Sequence, residues 1–278
     1  MGRVQISKSA IRASYLEQAK LTQAHAWLAL GMSNERVSAR AEQLQANGFE
    51  IEISESDQLG ASSLSLAQRS DLVRSAVLED AWRLDAGTVL RVEGVIADPN
   101  NEGSFFNIQI SFSFEPEPAL LPPIAKIQIE MTGDAENPGA SADLVKSRLL
   151  STNHRWHTLV EDPNRTPEPF QELLGERFKM EFGHGSVSSY EEFRQWVYGS
   201  ASSVNASRHD MESVSWRPLD SDEYEAIFVL DWLGLNKDDK TMVAKTKHTW
   251  TFSNDPSEAY PRIQHMDVSF LEPFSVIE

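Results

Sequence analysis

The chain of 278 residues contains no cysteine. Disulfides, thiolate nucleophiles and cysteine-held metal or iron–sulfur sites are therefore excluded, and a reducing cytoplasm is the expected compartment. Long apolar runs are lacking too. None approaches the roughly 18 to 20 residues that a membrane-spanning helix needs. The opening stretch MGRVQISKSAIRASYLEQ has no apolar core of the secretion-signal kind. Positive charge is scarce: 25 Lys and Arg stand against 42 Asp and Glu, a formal net charge of −17. Such a surface repels nucleic acid and anionic membranes, so neither is an expected partner. Glycine-rich phosphate loops, G-x-S-x-G and H-E-x-x-H are also missing. No cofactor and no metal is expected.

What the chain does have is a globular composition, 40% hydrophobic with seven Trp and thirteen Phe, and a length sufficient for two domains. Helical spacing marks Ser9 to Leu30, a short helix from Ser33 to about Gln45, and a third from Leu66 to about Trp82. FEIEIS, TVLRVEGVIA, SFFNIQISFSF and IAKIQIEMT read as strands. GDAENPGASA, from Gly133 to Ala142, is a linker by composition. After it the same order of elements begins again. A shift of about 129 positions pairs Leu21 with Leu150, His25 with His154, Trp27 with Trp156, Leu44 with Leu173 and Phe49 with Phe178, which points to an internal duplication. With gaps, Leu84 pairs with His209, Ala125-Lys126 with Ala244-Lys245, and Ile129 with His248. On that pairing the first copy, residues 1–135, has no counterpart to PRIQHMDVSF. It is expected to be degenerate and one strand short, its bare edge covered by the second copy (143–278) in an intramolecular pseudo-dimer, with further oligomerisation left open.

Asn205 to Leu271 reads as four strands in meander order, broken at Pro-Leu-Asp-Ser-Asp, Asn-Lys-Asp-Asp-Lys and Ser-Asn-Asp-Pro-Ser. The third run alternates cleanly. Ala244, Thr246, His248, Trp250 and Phe252 take one face, while Val243, Lys245, Lys247, Thr249 and Thr251 take the other. The first face is predicted to look inward, which places the imidazole of His248 among aromatics.

The strings RWHTLV, ERFKMEFGHG, SRHDMESV, HTWTF and PRIQHM, in this element order, resemble the nuclear transport factor 2-like superfamily, with its ketosteroid isomerase-like, scytalone dehydratase-like and SnoaL-like members. The resemblance covers Ala142 to Glu278 and, more faintly, Ser9 to Thr132. It implies an α+β chain of two tandem cone-shaped domains, each with helices packed on a strongly curved antiparallel sheet around an apolar pocket. It also departs from the isomerase pattern. The places of the tyrosine acid and aspartate base hold Trp156 and Phe182 in the second copy, and Trp27 and Ile53 in the first. A late-strand acid is replaced by His248. Fold alone does not give function.

In related members a histidine at the place of His209 faces the pocket. An imidazole there can take a proton alpha to a carbonyl and pass one to a leaving hydroxyl. Burial would keep His248 neutral, and Asp231 could orient a histidine if it faced inward. Each of the three has a plain alternative, a histidine satisfied in the core or an acid on the outer face. Trp156, Met180, Phe182, Tyr190, Trp196 and Trp250 are the expected pocket wall. His154 and His157 share a helix face, but without an inward carboxylate near them a metal site is not expected. The chain is thus expected to bind an apolar, cyclic or polyketide-like small molecule. It would act as a cofactor-independent dehydratase, isomerase or cyclase with His209 and His248 as proton carriers. The alternative is a non-catalytic ligand-binding or scaffold protein.

Overall fold

The computed structural model describes residues 6–32, 43–54, 64–85, 88–116, 120–183, 185–220 and 222–277. The helix expected from Ser33 falls almost entirely outside them. The chain divides into two compact units. The first is Lys20–Ser151; the second joins Met1–Ala19 to Thr152–Glu278.

Local signals set the helices. α1 (Lys8–Arg12) starts where the Ser7 side chain accepts from the Ala10 N–H, and α2 (Ser14–Leu28) follows it. In the first unit, α3 (Leu66–Arg74) carries a capping box between Ser65 and Gln68. It ends eight residues earlier than its apolar spacing predicts. Ser75 closes it by hydrogen-bonding back to Leu72, and Val77–Leu78 then enters the sheet as β2. α4 (Leu144–Glu161) brings RWHTLV into the second unit. α5 (Tyr190–Ser203) is capped by Ser189, while Glu192 reaches back to the Ser188 N–H at 2.8 Å.

The two sheets share one plan. In the first unit, β1 (Gln45–Ile53) runs parallel to β6 (Ile124–Ala135). β5 (Phe105–Phe114) and β4 (Val89–Ala97) continue outward antiparallel, and β2 and β3 (Arg83–Asp85) both pair with β4. In the second, β7 (Leu174–Phe182) runs parallel to β12 (Arg262–Ile277). β11 (Thr241–Ser253), β10 (Glu223–Leu235) and β9 (Ala206–Pro218) follow, with β8 (Gly185–Val187) on the other edge of β7. The fold is α+β: two units, each with a six-stranded sheet that holds one parallel pair and is otherwise antiparallel. Register shifts between Val229 and Leu230, and on either side of Lys245, bend the long strands of the second sheet.

This plan corrects the expectation of a missing strand. Both sheets have six strands, and the counterpart of β12 is β6, since each is the strand parallel to the first of its sheet. What the first unit has in place of the continuous β9 is the broken pair β2 and β3. The bare-edge argument for a covering second copy falls with it. The pairing of His248 with Ile129 falls as well. His248 stands between Phe228 and Val268, as Ile110 stands between Val92 and Ile129. His209 precedes Asp210 on β9 as Ala76 precedes Val77, so its counterpart is Ala76 rather than Leu84.

The predicted alternation of β11 is present from Ala244 on: Ala244, Thr246, His248, Trp250 and Phe252 are all buried, and Lys245, Lys247, Thr249 and Thr251 are not, but Val243, expected on the outer face, is buried as well. The interior of the first unit is one apolar cluster that takes in Trp27, Leu28, Ala76, Ile110 and Phe112.

Candidate active site

In the second unit the inner face of the sheet and helices α4 and α5 enclose a cavity of about 660 Å³. α4 contributes Trp156 and Val160, and Arg165 lies just beyond its end. α5 contributes Trp196, Gly199, Ser200 and Ser203. The sheet supplies Phe182 from β7, Ser207 and His209 from β9, Trp232 from β10, Thr246 and His248 from β11, and Met266, Val268, Phe270 and Phe274 from β12. The aromatic wall is ordered by ring contacts. Phe182 stacks on Trp196 with centroids 5.1 Å apart and planes 5° apart, and Trp196 lies 6.0 Å from Trp156. Trp232 turns back over Gly234, where a Cβ would come within 2.0 Å of the indole, and meets Phe274 edge-on at 4.8 Å.

The polar groups are fewer and converge. Glu161, the last residue of α4, has a fully buried side chain. Its Oε1 accepts from the backbone N–H of His209 at 2.8 Å and from the imidazole Nδ1 at 2.9 Å. A carboxylate can only accept, so this contact puts a ring proton on Nδ1. Burial pushes the Glu161 carboxyl up from its ordinary value, while its hydrogen bonds from His209 pull the other way. The His209 ring stacks on His157 at 4.4 Å, and His157 lies 6.1 Å from His248. Desolvation holds His157 well below the usual histidine range, and the neighbouring imidazoles add to this. Desolvation also takes His248 down to about 3. Both rings are therefore neutral at ordinary pH. The Nε2 of His157, Nδ1 of His248 and Oγ1 of Thr246 are buried without a hydrogen-bond partner among the described residues.

Of the residues singled out in the sequence, His209, His248, Trp156, Phe182 and Trp196 line the cavity. Met180 and Trp250 are core residues behind it, each fully buried, and Tyr190 stacks on Phe193 with its hydroxyl turned inward. Asp231 is corrected outright. It is exposed on the outer face of β10, between Asp210 on β9 and Lys245 on β11, because period 2 turns it away from Leu230 and Trp232. The acid that meets a cavity histidine is Glu161, which nothing in the sequence singles out. His157 was weighed only as a metal ligand. Their spacing of four on one helix puts both on one face, the face that also carries His154 three residues earlier. His154 itself is structural. Its Nδ1 lies 2.8 Å from Gln18 Oε1, and burial takes it down to about 3. Among the described residues no group of three His, Asp or Glu could hold a metal ion, and no helix is long and apolar enough to cross a membrane. The first unit has none of this chemistry, since the places of His157, His209 and His248 hold Leu28, Ala76 and Ile110.

No protein-family model and no curated protein matches the chain. Similar solved structures exist. A hexachlorocyclohexane dehydrochlorinase, LinA-type3 from Novosphingobium barchaimii LL02, is 9% identical with a TM-score of 0.42, over 48% of this chain and 90% of that one. An NTF2-like superfamily protein from Salmonella enterica serovar Typhimurium LT2 is 10% identical with a TM-score of 0.38, over 43% and 85%. A protein with a cystatin-like fold from Caulobacter vibrioides is 13% identical with a TM-score of 0.39, over 46% and 90%. Each likeness spans about half of the chain and is one of fold alone.

Proposed function

We propose that the second unit binds a small cyclic or polyketide-like molecule and moves a proton on it without a cofactor. The observation that carries this reading is the Glu161–His209 pair on the wall of an otherwise apolar cavity. In the proposed step His209 Nε2 takes a proton from a carbon next to a carbonyl, and Glu161 balances the imidazolium that forms. Returning that proton to a leaving hydroxyl completes a dehydration; returning it to another carbon completes an isomerisation. The neutral His248 and the Thr246 hydroxyl are placed to donate to the developing enolate oxygen, in a site where water competes little. Asp231 has no part in it.

The test is proton exchange. The protein is incubated in deuterated water with a panel of cyclic ketones and β-hydroxy ketones, and deuterium uptake or water loss is followed by NMR. Uptake that is lost in H209Q while ligand binding persists is the expected result. Ligands that bind in the cavity but never exchange, across the panel, would leave a binding protein.

A further inference from the structure

Among the described residues Arg165 is the one Lys or Arg on the cavity wall. It lies four residues beyond the end of α4, and its Nη1 donates to the Val160 carbonyl at 2.8 Å. That bond closes the helix, as basic residues at C-termini commonly do. It does not use the rest of the guanidinium. The Nε is buried and has no hydrogen-bond partner among the described residues, and no carboxylate there is within ion-pair distance. Asp162 attracts Arg165 without forming an ion pair with it. Its own Oδ1 accepts from the Asn164 N–H at 2.8 Å. The remaining polar wall consists of the imidazoles of His209 and His248 and of the hydroxyls of Ser200, Ser203, Ser207 and Thr246. In a chain of net charge −17, an unpaired guanidinium facing an apolar cavity is out of keeping with its surroundings.

We infer that the cavity takes an acid, a ring compound bearing a carboxylate, with Arg165 holding the carboxylate and Trp156, Phe182 and Trp196 holding the ring. The inference rests on the reading of this cavity as a ligand site. Guanidinium and carboxylate match in geometry as a two-pronged pair, and the low local dielectric strengthens the contact. A carboxylate held at Arg165 would fix which ring carbon faces His209.

The experiment uses the whole chain and the neutral dye N-phenyl-1-naphthylamine, displaced by naphthalene-2-carboxylate or by its uncharged carboxamide. The carboxylate is expected to displace at a concentration at least about tenfold lower than the carboxamide, by the strength of a charge-assisted pair. In R165Q that preference disappears, and R165K restores part of it. Equal displacement by the two competitors, or equal weakening of both in R165Q, overturns the inference and leaves the cavity reading intact. A dye that fails to bind, or that binds G199W as well as the native chain, overturns the cavity reading and this inference with it.

Discussion

Glu161 Oε1 lies 2.8 Å from the backbone nitrogen of His209 and 2.9 Å from its Nδ1, so a single buried oxygen fixes both the main chain and the ring of one residue. Two variants separate those duties. E161Q keeps an acceptor and loses the charge. It is expected to fold with little change and to lower any proton-transfer rate by about 10²- to 10⁴-fold, the range for a positioned acid–base group. E161L removes the acceptor altogether. Two buried donors are then orphaned, at a cost of about 1–3 kcal/mol each. Urea denaturation of the two variants checks the contrast. Equal stability losses would mean that the charge, not the acceptor, holds the site together.

Stability should depend on pH in a definite direction. His154 and His248 sit at about 3 in the fold against 6.5 ordinarily. Between those values the unfolded chain binds more protons, so stability is lost as pH falls from about 6.5 toward 3. The slope is about 1.4 kcal/mol per pH unit for each histidine. Glu161, raised by burial, works the other way: its contribution is present at low pH and fades as pH rises through its folded value. The lowered histidines, His157 included, outnumber it. The urea midpoint is therefore expected to drop between pH 7 and pH 5, less steeply in H248Q; a flat profile in the native chain would contradict buried neutral histidines.

Gly234 has a use that only a missing side chain can serve. A methyl group there would meet the Trp232 ring at 2.0 Å. Gly234→Ala should push that indole out of the cavity wall and destabilise the second unit by about 1–3 kcal/mol, as overpacking does. Thermal unfolding and N-phenyl-1-naphthylamine affinity should fall together.

Gly199 is the opposite case. It lies inside α5, and an added Cβ would meet nothing within 4 Å. Gly199→Ala should raise stability by about 0.5–1 kcal/mol through the lost backbone freedom of the unfolded chain. An increase in the urea midpoint at unchanged slope is the expected result.

The strands were legible because their residues alternate. β11 could be assigned face by face from Ala244 to Phe252, and His248 was found that way. The repeat was legible near its start, where His25, Trp27 and Phe49 keep one spacing with His154, Trp156 and Phe178. It was misread further on, where loops of unequal length let Ala125-Lys126 align with Ala244-Lys245 by identity alone; the β6–β5 and β12–β11 registers overrule that match. Glu161 was hidden for another reason. A glutamate at the end of a helix is ordinarily solvated, and only its meeting with His209, 48 residues away, makes it interior. Arg165 was hidden likewise, in a polar turn whose sequence, EDPNRTP, reads as surface.

The second unit is assembled from both ends of the chain. Gln18 donates to the His209 carbonyl, Ser14 to that of Ser207, and Glu17 pairs with Arg208, contacts that reach across some 191 positions. Such pairings form slowly, because a long loop must close before they stabilise anything. During synthesis the first unit, one unbroken stretch, has all its residues while the later strands are still being made. The start of α2 must meanwhile wait for partners made some 191 residues later. Cutting away Lys8 to Ala19 would thus injure the distant histidine site.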